Sequence, residues 1–144
     1  MNLKYMKYIP ILAMLTFMLG QTVSGQSSSS TKSYYVPAVD GTKLAVDVHF
    51  PSSYENQKLP ALFEFTRYWR SSENPETGAP NPSLSERDKF FLTNDYILVK
   101  VDVRGTGASY GTRLGEYTPI EVEDAKYIVE WAVNQSWSDG SVGA

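Results

Sequence analysis

The chain has 144 residues, 42% of them hydrophobic and 13% aromatic, which is material for one packed domain at most and excludes intrinsic disorder as its class. Its net charge is −3. Residues 1–25 hold two lysines and no acid, so the remainder carries eleven basic against sixteen acidic side chains, a balance that excludes a basic nucleic-acid footprint. With no cysteine, disulfides, thiolate sites and a lipid-modified cysteine anchor are excluded too.

Lys4 and Lys7 precede an apolar run from Tyr8 to Gly20, and Gln21-Thr22-Val23-Ser24-Gly25 follows. A basic start, an apolar run too short to span a bilayer, and small residues suited to a cleavage site predict a signal peptide over 1–25. The location expected is therefore secreted or periplasmic, with no stable membrane insertion after cleavage. A short membrane anchor is the alternative. Residues 26–33 are serine-rich and read as a flexible tether, leaving 34–144 as the folded part.

Tyr34 to Val39 reads as a strand, and Pro37 makes it an edge strand. Asp40-Gly41 is a hairpin turn signal. Leu44, Val46, Val48 and Phe50 then alternate with Ala45, Asp47 and His49, the pattern of a half-buried antiparallel strand. Ala61 to Thr66 is a third, more buried strand, with Arg67-Tyr68-Trp69-Arg70 at its end. Residues 71–82 show no periodicity and read as a loop. Ser83-Leu84-Ser85-Glu86 reads as a capping box opening a helix that stops near Asn94-Asp95.

Ile97 to Val103 is dense in β-branched residues, as a strand largely buried in a sheet would be. It feeds into a loop holding Gly105, Gly107 and Gly111, where the backbone can turn sharply. Thr118-Pro119-Ile120-Glu121 combines a capping box with proline at the first helical position. Ala125, Ile128, Val129 and Ala132 form a core stripe at helical spacing. Trp137-Ser138-Asp139-Gly140 ends that helix, and a further strand begins at Ser141. Antiparallel strands followed by helix–strand alternation predict an α/β fold, a mixed sheet with helices on both faces.

Several residues could carry chemistry. Gly107-Ala108-Ser109-Tyr110-Gly111 matches G-x-S-x-G, but a nucleophile elbow needs a strand immediately before the serine and a helix immediately after. Neither is expected here, so Ser109 reads as a turn serine. The same glycines imitate a dinucleotide loop without the helix N-terminus that would hold a pyrophosphate. Asp102 and Arg104 flank the strand end, as a substrate-binding pair or, preferred here, as an ion pair pinning the loop. His49, the one histidine, has no nucleophile placed beside it and reads as structural or surface. Tyr68 follows a buried strand, where its hydroxyl could serve an oxyanion; spacing alone favours a packed aromatic beside Trp69.

From Val36 onward the chain resembles the cocaine-esterase-like (CocE/NonD) serine hydrolases, which group with the X-Pro dipeptidyl-peptidase family. The resemblance rests on Val36-Pro37-Ala38-Val39-Asp40-Gly41-Thr42-Lys43-Leu44, on Thr66-Arg67-Tyr68, on Val101 through Ser109, and on Glu130-Trp131 with Gln135 through Gly143, in that order and spacing. It implies an α/β-hydrolase fold and hydrolysis of a small-molecule or peptide ester or amide through Ser, Asp and His, with no cofactor, no metal and no nucleic-acid partner.

The resemblance further implies that Tyr68 donates to the oxyanion, reversing the preference from spacing, and that the loop from Arg104 to Gly111 is structural. Arg67 stands where proline is usual in such proteins, and Trp69 where a small or acidic residue is usual. The resemblance sets the nucleophile a few residues past Gly143, with acid and histidine further on, so these residues are expected to form an N-terminal fragment of the hydrolase domain, inactive alone. A small secreted binding module that keeps the half-fold is the alternative.

Overall fold

The structure, a computed structural model, describes residues 29–78, 80–82 and 84–144. The expected signal peptide and the first residues of the tether lie outside the described residues. Among the described residues there are seven strands and two helices: β1 Ser30–Pro37, β2 Lys43–Phe50, β3 Leu59–Thr66, β4 Ser71–Glu73, β5 Pro80–Pro82, α1 Glu86–Thr93, β6 Ile97–Asp102, α2 Pro119–Val133 and β7 Ser138–Gly143. The main sheet has the order β1-β2-β6-β3-β7. β1 and β2 are antiparallel, β2 meets β6 antiparallel, and β3 runs parallel to both β6 and β7. This is the mixed α/β sheet that the element order predicts.

The Asp40-Gly41 signal forms its turn, with Gly41 at φ 81° and Ala38 N–H bonded to the Thr42 carbonyl at 2.8 Å. β1 begins at Ser30, within the stretch expected to be a tether. Its residues pair with β2 from Ser30↔Phe50 to Pro37↔Lys43, and two serine/threonine hydroxyls find partners there: Thr31 Oγ1 lies 2.8 Å from His49 Nδ1, and Ser33 Oγ donates to Asp47 at 2.6 Å. Serine composition signals flexibility only where no such partners wait.

One face of the sheet is the apolar core. Leu44, Val46, Val48, Phe50, Ala61, Phe63, Ile97, Val99 and Val101 pack with Ile128 and Ala132 of α2 and with Trp137. The stripe read from the sequence therefore does face the sheet. The other face carries Asp47, His49, Lys100 and Asp102, all buried, and α1 covers it through Asp88, whose carboxylate accepts from Lys100 Nζ at 2.6 Å. β2 is thus buried on both faces rather than half-buried, because its polar residues meet partners instead of water.

Four local expectations change. α1 is capped at Ser85, not Ser83: Ser85 Oγ accepts from Asp88 N–H at 3.2 Å, and Asp88 Oδ2 accepts from Ser85 N–H at 2.9 Å. The shift lets one carboxylate close the box and also bind Lys100, which exposed Glu86 would not do. In α2, Thr118 Oγ1 accepts from Glu121 N–H at 3.4 Å, but the Glu121 carboxylate turns to Arg113 Nε at 3.1 Å, so the box is half made. Finally, β4 and β5 form a two-stranded hairpin inside the expected loop 71–82, and β7 starts at Ser138, three residues early.

Candidate active site

β3, β6 and β7 run parallel, so Thr66, Asp102 and Gly143 end on one edge of the sheet, with Thr66 and Asp102 in register. That carboxyl edge is where open α/β sheets bind ligands. Two segments rise from it: Arg67 to Arg70 after β3, and the glycine loop after β6.

Tyr68 stands out from this edge, 79% exposed. Its N–H donates to Thr66 Oγ1 at 3.0 Å. Trp69, next in the chain, sits at φ 71°, a left-handed conformation that a bulky side chain adopts only under constraint. Arg70 then folds back into the protein. Its N–H donates to Asp102 Oδ1 at 2.7 Å and its Nη1 to Oδ2 at 2.6 Å, while Nε lies 3.1 Å from Asp47 Oδ1, too oblique for a hydrogen bond. On the other side of Tyr68, the Arg67 guanidinium lies 5.4 Å from the ring centroid and pairs with Glu116, a cation–π contact.

Asp102 is 1% exposed and gathers a third donor, Ala108 N–H at 3.0 Å. The glycine loop can approach this closely because Gly107 has no side chain: a Cβ there would lie 2.3 Å from Asp102 Oδ2. A cavity of about 230 Å³ opens beside Arg67, floored by Phe65, Val103, Val122 and Ala125 and rimmed by Arg67, Arg113, Glu116 and Glu121. The rim charges neutralise one another, Arg113 Nε standing 3.1 Å from Glu121 and Nη2 3.6 Å from Glu116.

The remaining candidates sort plainly. Ser109 Oγ donates to the Asp102 carbonyl at 2.6 Å and accepts from Ala45 N–H at 2.8 Å, tying the loop to β2; no helix starts between Ser109 and Pro119. It is a turn serine. His49 is 1% exposed and bonded to Thr31, with burial lowering its pKa, so its role is structural.

The expected ion pair between Asp102 and Arg104 does not form. β6 ends at Asp102, and the turn beyond it sends Arg104 to the α2 side. There Nη2 and Nε bind Asp124 at 2.7 and 2.9 Å, and Nη1 binds Asp40 at 2.7 Å and Thr42 Oγ1 at 2.8 Å. Hydrogen bonding from Arg104 holds the Asp40 carboxyl well below the usual carboxylate range, and bonding to Asp124, then Asp40, pushes Arg104 upward. Sequence reading missed Arg70 as the partner of Asp102. The two are 32 positions apart, and no local pattern links them. Among the described residues no grouping of three or more His, Asp and Glu side chains is placed to hold a metal ion.

Residues 40–144 match the family model described as X-Pro dipeptidyl-peptidase (S15 family). A Mycobacterium bovis protein named "putative serine esterase" is 36% identical over 122 residues, covering 78% of this chain and 19% of that protein. The crystal structure of a CocE/NonD family hydrolase from Staphylococcus aureus superposes with a TM-score of 0.66 at 30% identity, over 80% of this chain and 22% of that one. An α-amino acid ester hydrolase superposes with a TM-score of 0.64 at 26% identity, over 88% and 24%. The 144 residues thus span about a fifth of the curated relatives they match. The shared strand arrangement is that of α/β-hydrolases.

Proposed function

The chain belongs to the X-Pro dipeptidyl-peptidase (S15) family, and from that premise we propose that it is the amino-terminal part of an exported serine hydrolase that cleaves ester or amide bonds, peptide bonds included, by acyl transfer. In that chemistry a serine Oγ attacks the carbonyl carbon while a histidine takes its proton. The carbonyl oxygen becomes an oxyanion, and collapse expels the alcohol or amine, which recovers the proton; water then releases the acyl group. Tyr68 supplies a phenolic O–H to the oxyanion.

The observation that supports this role is the position of Tyr68: exposed at the carboxyl end of β3, on a turn bonded to Thr66 on one side and to Asp102 on the other. Ser109 and His49 are both engaged elsewhere, so nucleophile, base and acid are assigned to residues outside 1–144. The cavity beside Arg67 forms part of the wall that sorts substrates.

Two measurements test this. In the full hydrolase, Tyr68→Phe lowers kcat on a nitrophenyl ester by about 100-fold or more; an unchanged kcat removes Tyr68 from the mechanism. Purified residues 1–144 hydrolyse the same ester at the background rate, and an enzyme-like rate abolished by Ser109→Ala would overturn the assignment. Export is checked by sequencing the N-terminus of protein recovered outside the cytoplasm, which begins near Gln26.

A further inference from the structure

Tyr68 presents a difficulty for the role just assigned. An oxyanion donor must sit within about 2.7–3.1 Å of one point in space, yet against the rest of residues 1–144 Tyr68 is 79% exposed, so packing among these residues does not fix it. Apart from the Arg67 guanidinium 5.4 Å from its ring centroid, its orientation has to come from the backbone that carries it. That backbone is unusual at the next residue, since Trp69 occupies the left-handed region at φ 71°, and such a conformation persists only where the surroundings over-determine it. The constraint lies one residue further, at Arg70.

We propose that the Asp102–Arg70 clamp orients Tyr68, which makes Asp102 and Arg70 positioning residues of the oxyanion site; the proposal rests on the hydrolase reading above. Asp102 ends the central strand, paired with Thr66 of β3 and 1% exposed. It grips Arg70 twice, through the backbone N–H at 2.7 Å and through Nη1 at 2.6 Å. A guanidinium presents its donors in a fixed fork, so the two bonds together set both where residue 70 lies and how its peptide faces. Arg70 cannot swing outward without abandoning two buried carboxylates, Asp102 and Asp47. Ala108 N–H braces the outer oxygen of Asp102 at 3.0 Å, and glycine at 107 permits that approach. Thr66 Oγ1 holds the Tyr68 amide from the strand side. The turn from Thr66 to Arg70 is therefore pinned at both ends, with Trp69 forced to bend between them and Tyr68 thrust outward.

The test compares Arg70→Lys, which keeps the charge but loses the fork, and Asp102→Asn, which keeps the size but loses the charge, with Tyr68→Phe as reference. On a nitrophenyl ester in the full hydrolase, each clamp variant lowers kcat about tenfold with KM within about twofold, and neither lowers it further in the Tyr68→Phe background. Losses that add to those of Tyr68→Phe would overturn the proposal, since the clamp would then act on something else. A second readout does not depend on catalysis. With 3-fluorotyrosine at position 68 of the full protein, the fluorine line is broad and narrows at least about twofold in either clamp variant as the turn gains fast motion. If Tyr68→Phe leaves kcat unchanged while the line still narrows, the oxyanion role falls and the positioning stands. If the line stays broad in both folded variants, the clamp does not hold Tyr68, whatever the kinetics show.

Discussion

A single methyl group added at position 107 would put a carbon 2.3 Å from Asp102 Oδ2, at a backbone φ of 52°. Gly41 also has positive φ, at 81°, but nothing lies within 4 Å of its missing Cβ. The pair separates two costs. Gly41→Ala carries the conformational penalty alone, about 1 kcal/mol, whereas Gly107→Ala must also displace a buried carboxylate from its donors and costs about 3 kcal/mol. Urea denaturation of both variants checks the difference, and equal losses would mean that the Asp102 contact is unimportant. His49 makes the second prediction at this scale. Burial is the largest influence on it and lowers its pKa below the ordinary 6.5, with Asp47 and Asp88 opposing and Lys100 and Arg70 assisting. The unfolded chain therefore takes up a proton that the folded one refuses. Stability from this residue is complete above about pH 6.5 and falls as pH drops below it. His49→Gln flattens the dependence of the urea midpoint between about pH 6.5 and 5; an unaltered slope in that variant would refute the assignment.

At the scale of elements, Arg104 decides how α2 sits on the sheet. It emerges from the turn after β6 and joins Asp124 in the first turns of α2 to Asp40 in the β1–β2 hairpin. Arg104 and Asp124 are both buried, so Arg104→Ala strands a buried carboxylate and costs about 3–5 kcal/mol. Asp40→Ala, at the more exposed end of the same network, costs about 1 kcal/mol or less. Thermal melts that rank the two variants the other way would show that α2 is anchored elsewhere. This network also marks what could be read from the sequence. The two helices, the turn at Gly41, the central strand and the face of α2 follow from spacing and cap chemistry, which are local. The demotion of Ser109 was legible too, because an elbow requires neighbours in sequence. The charged partners of Asp102 and Arg104 were not: each lies 20 or more positions away, and charge pairing carries no periodicity. The same holds for α1, where the cap shifted by two residues to meet Lys100, and for β1, whose Thr31 and Ser33 are ordered by a histidine and an aspartate on the neighbouring strand.

At the largest scale, the sheet order sets a gradient of stability within residues 1–144. β6 lies between β2 and β3, and all six of its residues are buried. Its amides can exchange with solvent only when the sheet comes apart, so their protection should report global unfolding. β1 is an edge, but it holds a continuous eight-pair register with β2 and adds the side-chain contacts of Thr31 and Ser33. β7 is the opposite edge, and its ladder with β3 is interrupted: Leu59 faces Ser138, then the register shifts before Ala61 meets Val142. Val142 is 48% exposed, so little apolar burial compensates for the broken ladder. Native-state hydrogen exchange on residues 1–144 should therefore rank protection β6, then β1, then β7, with β7 opening by local fraying at a free energy well under the global value. Protection in β7 equal to that in β6 would mean that the carboxyl edge is held by something other than its own ladder. The ranking bears on function because the turn carrying Tyr68 begins at the end of β3, which has the most stable strand on one side and the least stable on the other.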